Sequence, residues 1–196
     1  AEPAARSISV SNLLVLSRLE AGHGDAAARS RPVAAERIER TLALFAPRLA
    51  GAPRAVPLML AALSSWHAGL SEIVVVGPRR AIETRALVEE IDRHYLPFAL
   101  VICLDPGDEA GRRLVRARPW LGALGLRDGR ATAYVCRDLA CQAPATSVEE
   151  LRSRLTALID SGLNPIWLVP IFQVNLGPLT PWARIGLPTS GFRKSI

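Results

Sequence analysis

The sequence predicts an α/β fold class: a helical segment, then a small three-stranded, mainly parallel α/β subdomain. Three observations carry this reading. Apolar residues recur at helical spacing through the first 70 positions; from Glu72 onward the period changes to short continuous β-branched runs; and those runs alternate with further helical stretches. The expected division is a helical segment over 1–70, an α/β subdomain over 71–160, and an atypical Pro-rich apolar tail over 161–196.

Ser7 to Glu20 carries Ile8, Val10, Leu13, Leu14, Leu16 and Leu19, spread around more than one helix face, so this helix wants neighbours on two sides. Gly22 and Gly24 end it. After Arg31-Pro32, Ile38, Leu42, Phe45 and Leu49 follow i, i+4, i+7, i+11 spacing, a one-sided amphipathic helix. Pro53 and Pro57 frame a third helix start, with Val56, Met59, Leu60, Leu63, His67 and Leu70 on one stripe. Ile73 to Val76 is then a strand, broken by Gly77-Pro78, and a helix with Ile82, Leu87, Val88, Ile91 and Tyr95 follows. Phe98 to Leu104 is a second strand, ended by Asp105-Pro106-Gly107. Strand, helix, strand with uniformly apolar strands argues for a crossover unit covered on both faces. Glu109 to Arg118 reads as another helix stopped by Pro119. Beyond the Asp128-Gly129 turn signal comes a third strand at Thr132, then a last helix with Val148, Leu151, Leu155 and Leu158 at core spacing.

With 196 residues and 49% hydrophobic content, the chain can bury a core. Its 24 basic and 18 acidic residues leave +6, but Lys194 is the only lysine and the arginines are scattered. Nucleic-acid affinity needs basic groups clustered enough to neutralise several phosphates together, so no nucleic-acid partner is expected. Cys103, Cys136 and Cys141 are too few, and of the wrong parity, for a secreted disulfide framework; a cytoplasmic location fits, and no signal-peptide pattern opens the chain. Gly162 to Trp182 is uncharged, but Pro165, Pro170, Pro178 and Pro181 interrupt it, which argues against a membrane-spanning helix.

The most informative stretch runs from Thr132 to Leu151. A β-branched and aromatic run delivers Cys136 to its end, Cys141 follows five positions later, and Pro144 precedes a helix whose start carries two overlapping capping boxes, Thr146 with Glu149 and Ser147 with Glu150. Both thiols are expected on one strand-to-helix loop. This string, together with Ala1-Glu2-Pro3, Ser7, Asn12-Leu13-Leu14 and Glu72 to Gly77, resembles the C-terminal end of the spermatogenesis-associated protein 20 family. That resemblance implies a thioredoxin domain-containing protein with a helical toroid similar to six-hairpin glycosidases. The first helices would be terminal hairpins of an (α/α) toroid, and the partners would be the upstream toroid and thioredoxin-like domains. Ala4 and Arg6 depart from the family pattern, which has Ser and Asn there.

Thiol redox chemistry is the first candidate activity, with Cys136 and Cys141 as its residues and Arg137 placed to favour a thiolate. The spacing is C-x4-C, not the C-x-x-C of thioredoxin-type exchange, so a structural thiol pair is the plainer expectation. Metal binding would need four ligands in local pairs, whereas His23, His67 and His94 are isolated; no metal is expected, and His67 reads as a core residue. Carbohydrate chemistry enters through the resemblance alone. Glycoside hydrolysis takes two carboxylates, and Glu2 is the one acid on a toroid-like motif. Arg79 and Arg80 follow a strand at a phosphate-loop position, but one Gly beside a Pro cannot make the cradle, so no cofactor is expected. The reading reached is a structural C-terminal segment of a larger protein active in redox or carbohydrate-related chemistry, with an autonomous thiol-redox module as the alternative. Whether the chain is itself an enzyme stays open.

Overall fold

The computed structural model describes residues 5–21, 33–137 and 140–163. Contacts divide the chain into two units, one holding residues 5–18 and 33–69 and the other holding 19–21 and 70–163 of those described.

The helical unit contains most of α1 (Ala5–Ala21), α2 (Val33–Gly51) and α3 (Pro57–Ala68). On α2 the expected stripe is buried: Ile38, Leu42 and Leu49 go inside, joined by Ala35 and Ala46. Pro47 lies within this helix on its exposed side, where the Ala43 carbonyl it leaves unbonded faces water. Pro57 opens α3 as its first helical residue, and Gly69 closes it at φ 76°, a left-handed value suited to glycine. Met59, Ala62 and Leu63 are buried on α3, whereas His67 is exposed and therefore not the core residue expected from its stripe. α1 buries Ser7, Val10 and Leu14 but leaves Ile8 43% and Leu16 46% exposed, so the apolar residues around this helix are covered on one side.

The second unit is a four-stranded mixed sheet of order β2-β1-β3-β4, made by β1 (Ser71–Val76), β2 (Ala99–Leu104), β3 (Thr132–Arg137) and β4 (Ala140–Cys141). Its helices are α4 (Ile82–Asp92), α5 (Glu109–Ala117) and α6 (Val148–Leu158). β1 and β2 pair in parallel through the α4 crossover, as expected. The third strand does not continue that direction. β3 runs antiparallel to β1, with Val76 opposite Thr132 and Glu72 opposite Cys136, and the short β4 adds a fourth, antiparallel strand. A three-stranded, mainly parallel sheet is thus corrected to a four-stranded mixed one. The physical cause is the turn before β3. Asp128 and Gly129 both adopt positive φ, 52° and 71°, between the bridged residues Arg127 and Arg130, the geometry of a type I′ reversal. The chain is turned back at the end of the sheet where β1 finishes, and β3 must enter from there.

Side chains alternate across the strands, so each face has its own core. Ile73, Val75, Ala133 and Val135 pack with Leu87 and Ile91 of α4 and with Leu151, Leu155 and Leu158 of α6. Val74, Val76, Ile102, Leu104, Tyr134 and Cys136 pack under Leu121 and Trp120 of a short turn, with Leu114 and Val115 of α5. Each fully buried Leu contributes roughly 1.5–3 kcal/mol of burial free energy. Ile82 and Tyr95, expected on the core stripe of the fourth helix, are exposed, because α4 ends at Asp92 and Ile82 is its first residue. Among the described residues no helix is long and apolar enough to cross a membrane.

Candidate functional site

The two candidate thiols face each other across a hairpin. Cys136 on β3 and Cys141 on β4 are register partners and are joined as a disulfide. They do not share a strand-to-helix loop as expected: after β4 the chain stays beside β3, where Ala133 and Ala145 exchange hydrogen bonds of 2.9 and 2.8 Å. The Gln142 amide also donates to the Val135 carbonyl at 2.9 Å. Only then does α6 begin. Of the two capping boxes, the second forms: the Ser147 hydroxyl accepts from the Glu150 amide at 3.2 Å, and the Glu150 carboxylate reaches back to the Thr146 amide at 2.7 Å. That bond to the Thr146 amide holds the Glu150 carboxyl below the usual carboxylate range.

Cys136 is also at the opposite end of the sheet from the one its sequence position suggests. In parallel α/β sheets functional groups gather at the carboxyl ends of the strands. Because β3 is antiparallel, its carboxyl end lies beside Glu72, near the start of β1. Arg137, the residue expected to favour a thiolate, occupies the next position and so the other face of the sheet, where its guanidinium donates to the Ser161 hydroxyl at 3.4 Å. Glu72, buried and directly opposite Cys136, is the charged residue type that does share that face, a placement not anticipated from the sequence. Its even spacing from Val74 and Val76 was a legible signal for the face; its pairing with Cys136 was not.

The carboxyl ends of β1 and β2 meet at Gly77 and Asp105. A Cβ on Gly77 would collide with the Thr84 hydroxyl and lie 3.0 Å from the Ala131 methyl, so this glycine serves close packing. The backbone amides of Arg79 and Gly107 donate to the Asp105 carboxylate at 2.7 and 2.9 Å. These bonds, that from Arg79 foremost, hold the Asp105 carboxyl below its usual range. The amides that a phosphate would need are thus already bonded to an anion of the chain itself. Cys103, the remaining thiol, is exposed on the edge strand β2; desolvation pushes its thiol up, with Arg79 opposing. His94 bonds Glu90 at 3.3 Å near the end of α4. Among the described residues no group of three or more His, Cys, Asp or Glu is placed to hold a metal ion. Glu2, His23 and the tail from 164 onward lie outside the described residues.

Over 155 residues, 79% of its length, the chain is 37% identical to spermatogenesis-associated protein 20 of Homo sapiens. Identity to the Rattus norvegicus and Mus musculus proteins of the same name is 36% and 34% over the same length. This is homology to part of a longer protein: the chain spans 18% of the length of each of these relatives. No protein-family model matches the chain, and no solved structure matches it.

Proposed function

We propose that this chain, homologous to less than a fifth of spermatogenesis-associated protein 20, is a structural C-terminal segment of a larger protein of that kind and is not itself catalytic. The observation that carries this reading is the homology, extensive in the chain and confined to a small share of its relatives. The helical unit supports it: Ile8 and Leu16 on α1 and Val33 and Leu44 on α2 are exposed, as for helices that pack on further toroid hairpins. The whole protein would act in redox or carbohydrate-related chemistry, with upstream toroid and thioredoxin-like domains as this segment's partners. The test is reconstitution. The chain should bind the human relative from which the matching 155 residues have been deleted. Sedimentation that shows a stable, monodisperse monomer with no association would sink the reading.

A second reading, an autonomous thiol-redox module, is favoured by one observation, the Cys136–Cys141 disulfide. In a reducing compartment, which the cysteine count suggests, disulfides that form are usually transient, catalytic or redox-sensing.

A further inference from the structure

The two residues of the disulfide differ in burial. Cys136 is fully buried, within the cluster formed by Val74, Val76, Ile102, Leu104 and Tyr134. Cys141 is exposed, on an outer strand of two residues that are both exposed. In thiol–disulfide exchange a thiolate attacks one sulfur and displaces the other, and which sulfur is attacked depends on access. An incoming thiolate can approach Cys141 from water; to reach Cys136 it would have to enter the apolar cluster.

We propose that the Cys136–Cys141 pair exchanges with a dithiol reductant, with a fixed polarity: Cys141 is the sulfur that bonds to the partner, and Cys136 is the leaving and resolving sulfur. This deepens the thiol-redox reading and rests on it. In reduction, a thiolate of the dithiol bonds to Cys141 Sγ, the Cys136–Cys141 bond breaks, and Cys136 leaves with the electron pair and takes a proton from water. The partner's second thiolate then attacks its own sulfur in the mixed disulfide and releases Cys141, which is protonated in turn. Two electrons and two protons pass to the pair, and the partner departs as a disulfide. In the reverse direction an oxidised partner is captured by Cys141, and Cys136 closes on it.

The hairpin is built to keep the resolving thiol in place. Bonds from Gln142 to Val135 and between Ala145 and Ala133 hold the two strands together without the disulfide. Reclosure is therefore intramolecular, between groups already positioned as register partners.

The test uses the full chain in a Cys103→Ser background, with glutathione disulfide as the probe and peptide mapping by mass spectrometry. Cys136→Ser, which leaves Cys141, should take up glutathione at least about 10-fold faster than Cys141→Ser, which leaves Cys136. Equal rates, or a faster Cys136, overturn the polarity. The Cys103→Ser parent gives the same answer with both cysteines kept: oxidised protein treated briefly with glutathione and quenched with N-ethylmaleimide should carry glutathione on Cys141 and maleimide on Cys136. The reverse pattern overturns the proposal whatever the variants do. If dithiothreitol does not open the bond in the folded chain, the redox reading itself fails, and the polarity falls with it.

Discussion

Removing the Arg152 side chain should destabilise the α/β unit more than removing the carboxylate that it binds. Arg152 on α6 makes a two-pronged bond to Glu90 on α4, 2.7 Å to one oxygen and 3.0 Å to the other. The Glu90 side chain is 3% exposed and that of Arg152 49%, so the two partners lose different amounts of water on folding. Breaking a fully buried pair from one side costs roughly 3–5 kcal/mol, and an exposed pair is worth about 1 kcal/mol at most. Arg152→Ala leaves a buried carboxylate with His94 at 3.3 Å and the exposed Arg93 at 3.6 Å. An intermediate cost of about 2 kcal/mol is therefore expected. Glu90→Leu instead removes the buried charge and lets the half-exposed guanidinium rehydrate, for about 1 kcal/mol or less. Urea unfolding followed by circular dichroism measures both. Equal midpoints for the two variants, or a smaller loss for Arg152→Ala, would refute the argument from unequal burial.

The same pair sets a pH dependence. Hydrogen bonds from Arg152, aided by His94 and opposed by desolvation, hold the Glu90 carboxyl below its ordinary value. A carboxyl depressed on folding adds stability that is fully present above its unfolded pKa, near about 4.3, and is lost as pH falls through the lower folded value. In Arg152→Ala burial remains without its main counter-charge, and burial favours the protonated form. The stability curves of the wild-type and variant proteins should converge as the solution is acidified.

Two further outcomes are expected. Gly129→Ala, at φ 71° in the reversal before β3, should lower stability by about 1 kcal/mol, because a side chain is strained in that backbone region; an unchanged urea midpoint would contradict that strain. Alkylation of Cys103 by iodoacetamide should be slower at neutral pH than that of an unstructured peptide thiol and should rise with pH over a higher range, since desolvation pushes this thiol up. A rate at neutral pH equal to the peptide's would contradict that environment.

What the chain determined by itself is its local order. Helical spacing in α2 and α6, the β-branched run of β1, the Ser147–Glu150 cap and the Asp128-Gly129 reversal are legible because each depends on residues within a few positions of one another. The crossover from β1 to β2 was legible for the same reason, since two apolar strands flanking one helix leave little choice of direction. Tertiary structure decided the rest. The antiparallel entry of β3 moved Cys136 to the end of the sheet beside Glu72 and placed Arg137 on the other face. Packing also chose which thiol is covered and brought Glu90 to Arg152, 62 positions away. Periodicity says which side of an element is apolar; it carries no term for the direction in which a strand arrives or for the neighbour that its side chains meet, and those set the surroundings of the two sulfurs.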